Sequence, residues 1–145
     1  MMLGFKRRFA PYVHEGSKTH TIRANCGRTW KAGMRCDCYV DPRQKSMRLL
    51  GRFTCVKVED IVISREPRPG TCETHPWLFI EIEGICLEFD EANEFAYRDG
   101  FRELGRRRAL EAMTMYWIAE MRRHPTHRSF PFVGHVIHWK FEGQS

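Results

Sequence analysis

Residues Gly16-Ser17-Lys18-Thr19-His20-Thr21-Ile22-Arg23 place hydroxyls, an amine, an imidazole and a guanidinium within one short stretch. An amine and a guanidinium hold phosphate or carbonyl oxygen. A threonine hydroxyl becomes a nucleophile only with a base in hydrogen-bond reach. In an extended chain, Thr19, Thr21 and Arg23 share one face, and His20 and Ile22 share the other. With Ile22 turned to the core, Thr21 and Arg23 point to the opposite side and His20 takes a structural place. Lys18 meets Thr21 only if the chain turns near Gly16-Ser17, a pair that permits a turn. The competing reading is a polar loop entering a strand.

A second chemical residue lies far along the chain. A helix expected over residues 91–99 carries Ala92, Phe95 and Ala96 on its apolar stripe. Asp99 falls on that same stripe, seven, four and three residues after them. A carboxylate there needs a partner, because an unpaired buried charge is costly. A frayed helix end that lets Asp99 reach solvent is the alternative.

The elements that must position these residues follow from pattern. Residues 9–16 read as a short helix, with Pro11 in its first turn and Gly16 as its stop. A strand begins at Thr19 and runs to Ala24. Residues 34–40 form a second strand, ended by Asp41-Pro42. Residues 47–58 form a longer one, with a bulge or bend at Gly51 and a kink at Asp60 before 61–63 continue extended. The 65–76 segment, with Pro67, Pro69, Gly70 and Pro76, reads as a surface loop. Residues 77–83 alternate, with Leu78, Ile80 and Ile82 on one face. Glu83-Gly84 then forms a hairpin turn. Asp90 is expected to cap the 91–99 helix, which stops at Gly100. The longest helix spans 106–123, with Leu110, Met113, Thr114, Trp117, Ile118 and Met121 as its core stripe. Arg106, Arg107 and Arg108 open it against the dipole. Pro125 ends it, and residues 133–141 make a last strand. Helices not interleaved with the strands give an α+β domain.

Composition sets the partners. The chain of 145 residues suits one domain, residues 1–145. Its 24 basic residues, 18 of them Arg, leave a net charge of +6, and the pI is 9.2. Such a balance points to nucleic acid or a nucleotide-like ligand, against the plainer alternative of a solubilising surface. No run is apolar enough to span a membrane, and the basic N-terminus is not followed by the apolar segment of a secretory signal. A cytoplasmic protein without membrane contact is expected. The six cysteines include no CxxC pair. Cys36 and Cys38 share a strand face, but no second pair completes a zinc set. Reduced thiols, no metal and no cofactor are expected.

Gly4-Phe5-Lys6-Arg7-Arg8-Phe9 followed by Lys18-Thr19-His20-Thr21-Ile22-Arg23 resembles the opening of ASCH-domain proteins. Lys31-Ala32-Gly33 before a strand agrees. So do Ala96-Tyr97-Arg98-Asp99-Gly100-Phe101 and the sequence from Trp117 to Pro131-Phe132, Gly134, Ile137 and Trp139, which is similar to phage and prophage members. The resemblance covers about residues 4–139. It implies a PUA-like open β-barrel of five to six strands with two to three flanking helices. It also implies binding of RNA or a modified nucleoside.

A small subgroup of that family hydrolyses acetylcytidine with a lysine, a threonine and a glutamate. The resemblance carries these to Lys18, Thr21 and Asp99, with aspartate standing in place of glutamate. Thr21 would then be the nucleophile, Lys18 the base and Asp99 the acid or orienter. A neutral Lys18 would require its pKa to fall from ~10.4 to ~7–8. Under the binding alternative, Lys18 and Arg23 meet phosphate or carbonyl, Thr21 a base edge and Asp99 an exocyclic amine, with Thr19 a further ligand-binding residue. Arg48, Arg52, Arg106 and Arg107, with Arg108, would track the backbone. A ribonuclease, and a structural network in which Asp99 neutralises Lys18 or Arg23, complete the alternatives.

Overall fold

The computed structural model describes residues 2–24, 30–67, 70, 74–124 and 129–141. Cys26, Cys72, Pro69, Pro125 and the rest of the 65–76 loop's central part lie outside the described residues. In chain order the elements are β1 (Met2–Phe5), α1 (Ala10–Glu15), β2 (His20–Ala24), β3 (Arg35–Val40), β4 (Arg48–Ser64), β5 (Phe79–Ile82) and β6 (Ile85–Cys86). They continue as α2 (Phe89–Arg98), a 3-10 turn (Arg106–Arg108), α3 (Ala109–Arg123) and β7 (Phe132–Phe141). The fold is α+β, with three α-helices as expected. The described residues hold seven strands, not five to six. The surplus comes from β1, whose basic surroundings hide a four-residue apolar run.

The chain divides into two compact units. Met1–Thr21, Cys26–Val58 and Val136–Ser145 make up the first, and Ile22–Asn25 with Glu59–His135 the second. In the first unit, β1 runs parallel to β3, pairing Met2 with Asp37 and Phe5 with Val40. β3 runs antiparallel to β4, pairing Arg35 with Thr54 and Cys38 with Gly51. The register slips between Cys38 and Tyr39, so that Tyr39 meets Leu49 and Leu50 is the extra residue. Of the bulge or bend expected at Gly51, the structure has a bulge, centred on its neighbour Leu50. Leu3, Phe5, Cys36, Cys38, Val40, Phe53 and Cys55 are buried in the inward alternation.

In the second unit, the later part of β4 pairs antiparallel with β5, Ile61 with Ile82 and Ile63 with Ile80. Residues 61–63 continue extended as expected, and β4 runs through Asp60 unbroken over 17 residues. β5 folds onto β6 through Glu83 and Gly84, both at positive φ (52° and 78°). That is the two-residue turn whose twist matches the strands. The alternation along β5 is not one-sided: Leu78, Phe79, Ile80 and Glu81 are all buried.

α2 begins one step before the expected cap. Glu88 takes the N-cap place in a capping box with Glu91, whose carboxylate accepts the Glu88 N–H at 3.0 Å. Asp90 therefore lies inside the helix. Asn93 and Thr114 lock the neighbouring segments together. Leu110 N–H donates to the Asn93 side-chain carbonyl at 2.9 Å, and Asn93 Nδ2 donates to Phe89 O at 3.2 Å. Leu78 N–H donates to Thr114 Oγ1 at 3.0 Å, and that hydroxyl donates to Leu110 O at 2.7 Å. Trp117, expected in the core, is half-buried with its ring edge against Phe132. No helix among the described residues is long and apolar enough to cross a membrane.

Cysteine chemistry departs in one place from the expectation of reduced thiols. Cys36, Cys38 and Cys55 are buried thiols outside any disulfide, but Cys86 is disulfide-bonded. Pairing depends on the separation and direction of two Cβ atoms, which spacing along a chain does not encode.

Candidate functional site

The residues around Lys18 are positioned by the exit from α1. Gly16 closes that helix in the left-handed region at φ 85°, and its N–H donates to Val13 O. The chain then doubles back far enough for Lys18 N–H to donate to Tyr12 O at 2.9 Å. This is the turn at Gly16-Ser17 that Lys18 requires. Lys18 is 2% exposed, and its Nζ stands 5.3 Å from the centre of the Phe9 ring. A cation over an aromatic face at that range is attracted to the ring's negative face.

β2 carries the next residues. Thr19 is exposed, and its carbonyl accepts the Trp139 N–H at 2.9 Å, fixing where the strand meets β7. His20 and Thr21 are both buried, 4% and 6% exposed, although they point to opposite faces. The expected contrast between a core His20 and an open Thr21 is therefore absent. His20 packs against His138, ring centres 5.6 Å apart. Trp139 lies over Phe53 at 5.6 Å and meets Phe5 edge-on at 5.9 Å. Its indole N–H is buried with no hydrogen-bond acceptor among the described residues.

Arg23 and Asp99 belong to the second unit. Arg23 is half-buried. Its carbonyl oxygen lies so close to Gly134 that a Cβ there would collide with it. Only glycine lets the two backbones approach this far. Asp99 is the C-cap of α2, and its N–H donates to Phe95 O at 2.9 Å. Gly100 follows at φ 112°, with its N–H on Tyr97 O, and Phe101 N–H returns to Ala96 O. These two bonds make a Schellman ending, whose C″ residue Phe101 is buried. The Asp99-Gly100-Phe101 triplet thus has a local cause: glycine supplies the backbone angle and phenylalanine the anchor. Asp99 is buried, as its place on the apolar stripe foretold, and does not fray into solvent.

The arginines expected along a nucleic-acid backbone fall into different settings. Arg48 and Arg52 belong to the first unit and are exposed; Arg52 approaches Asp37 at 3.9 Å. Arg106 and Arg107 belong to the second. Arg106 binds both oxygens of Glu94 and stacks on Tyr97 at 4.1 Å. Its hydrogen bonds hold the Glu94 carboxyl below the usual carboxylate range and raise the guanidinium's own pKa. Arg108 pairs with Glu111 at 2.6 Å. The basic opening of α3 is thus balanced by two acids, and a phosphate is not needed to explain it. Arg107 alone of the three is exposed with no ion pair among the described residues.

Two participants were not foreseen: Phe9 beneath the Lys18 amine, and the orphan indole of Trp139. Both are aromatic residues that a sequence reading assigns to the core. No group of three or more His, Cys, Asp or Glu among the described residues is arranged to hold a metal ion. Neither models of known protein families, nor curated proteins, nor solved structures give a match to this chain.

Proposed function

We propose that this chain is an ASCH-like, PUA-like domain that binds a modified nucleoside, free or within RNA, through the start of β2. The observation that carries the reading is the burial of three polar groups in one unit: the Lys18 amine, the Thr21 hydroxyl and the Trp139 indole N–H, the last without a hydrogen-bond partner among the described residues. An unpaired buried donor costs roughly 1–3 kcal/mol. A base carbonyl or an acyl oxygen entering beside β2 offsets that cost. The resemblance adds Asp99 to the chemistry, and its acceptor oxygens suit an exocyclic amine.

The second reading is deacylation of acetylcytidine, with Thr21 attacking the amide carbonyl, Lys18 taking the hydroxyl proton and Asp99 orienting or protonating the leaving amine. Burial of Lys18 favours it, since a lysine acts as a base only where its surroundings disfavour the ammonium. The Phe9 ring works the other way by attracting a cation. Binding therefore stands first.

Titration with acetylcytidine, followed by mass analysis of the mixture, separates these readings. Saturable binding without cytidine release supports the first, and release of cytidine and acetate supports the second. Lys18→Met, which keeps the side chain's length and apolar stem, is expected to abolish either while the circular dichroism stays unchanged. Wild-type protein that neither binds nor converts acetylcytidine, and that binds no RNA carrying it, would remove the proposal.

A further inference from the structure

The outward face of the first unit's strands has a composition that the β2 site does not use. Along β3 the inward residues Cys36, Cys38 and Val40 are buried, which sends Arg35, Asp37 and Tyr39 outward. Across the ladder they meet Thr54, Arg52 and Leu49, and Met2 of β1 lies beside Asp37. Arg35 and Arg52 are 58% and 59% exposed at the side chain, and both approach the same Asp37 oxygen, at 3.1 and 3.9 Å. One carboxylate thus gathers two guanidiniums on a single face. Exposed ion pairs of this kind contribute little, so an incoming phosphate exchanges with Asp37 at small cost. Tyr39 sits one outward position further along, half-buried, with the exposed Leu49 opposite it on β4 and Gly4 opposite it on β1.

We propose that this face binds a single-stranded nucleic acid, with a base stacked on Tyr39 and successive phosphates on Arg35 and Arg52. Charge selects the occupant. A second copy would set the same cationic group against itself, and a purely apolar partner would leave two guanidiniums desolvated. A polyanion with flat bases satisfies both parts of the face, and the chain's net charge of +6 attracts it. Arg35 and Tyr39 belong to β3 and Arg52 to β4, not to β2, so the failure of this face and that of the β2 residues are read in different measurements.

The test is fluorescence anisotropy with a labelled 12-residue oligouridylate across a salt series. Tyr39→Ala is expected to weaken binding about 5- to 100-fold, the loss of one stacked base. Arg35→Gln with Arg52→Gln is expected to reduce the slope of log K against log salt by about 1.4, two phosphate contacts at ~0.7 each. Excess acetylcytidine should leave the oligomer bound, and a duplex of equal length should bind more weakly. Arg35 and Arg52 are exposed and Tyr39 is half-buried, and circular dichroism checks that each variant folds. No binding by the wild type, an unchanged affinity in Tyr39→Ala, an unchanged salt slope, displacement by acetylcytidine, or equal affinity for duplex would each overturn the proposal. Capture of an acidic polypeptide with equal affinity and the same dependence on Tyr39 would also overturn it.

Discussion

Thr114→Val tests the hydrogen-bonded lock between β5 and α3. In the native protein the Thr114 hydroxyl accepts from Leu78 N–H at 3.0 Å and donates to Leu110 O at 2.7 Å. Valine keeps the shape and leaves no cavity, so a volume change contributes nothing. Leu110 O loses only an additional donor. Leu78 N–H loses the acceptor described here, in a residue 1% exposed, where water does not replace it. An orphaned buried donor costs about 1–3 kcal/mol. For a chain of this size that lowers the thermal midpoint by about 3–10 °C. Thr114→Ser keeps both hydrogen bonds and loses one buried methyl, about 1 kcal/mol. Urea unfolding measures both variants, and native-state hydrogen exchange reads the Leu78 amide directly. Valine should accelerate exchange at Leu78 and serine should not. A valine variant within about 0.5 kcal/mol of wild type, with Leu78 still protected, would refute the reasoning.

Two further expectations concern pH. Arg106 and Arg98 hold the Glu94 carboxyl below its ordinary value, and Arg7 with Ser46 does the same for Asp41. Groups with depressed folded-state values contribute stability above the unfolded pKa of about 4 and lose it as pH falls through the folded value. Thermal midpoints should therefore drop on acidification below about pH 5, less steeply in Glu94→Gln, and added salt should flatten the profile. Burial, with the neighbouring Cys55 as the next cause, pushes the Cys36 thiol up to about 11. Between the unfolded value of about 9 and that folded value the unfolded chain holds fewer protons, so stability should fall as pH rises through this window. Cys36→Ala should remove much of that slope. At pH 8 an alkylating reagent should modify Cys36 and Cys55 only after denaturant is added, since the thiolate is the reactive form.

Local features were legible where the determinant is local. Pro11 and Gly16 bounded α1, Glu83-Gly84 made the hairpin, and the Ala92–Phe95–Ala96 spacing placed Asp99 on the buried side. Glu88 was missed as the cap of α2 because Asp90 is the better capping residue in isolation. The reciprocal bond between Glu88 and Glu91 outweighs that preference. β1 was missed because its basic neighbours dominate the composition there, whereas its strand character comes from parallel pairing with distant β3.

The same division applies to function. The sequence by itself determined which groups are available for chemistry, Lys18, Thr21, Arg23 and Asp99, and how each sits in its own turn, strand or helix. Periods of 2.0 and 3.6 residues and the backbone demands of glycine and proline act over a few residues, so they are written in order along the chain. Only the tertiary structure decided that Phe9 lies under the Lys18 amine, that Glu94 and Glu111 occupy Arg106 and Arg108, and that the buried Trp139 N–H has no hydrogen-bond partner among the described residues. It also gathered Arg35, Arg52 and Tyr39 on one face. Those relations join residues from different elements. They depend on pairing register and burial, which a one-dimensional pattern does not specify.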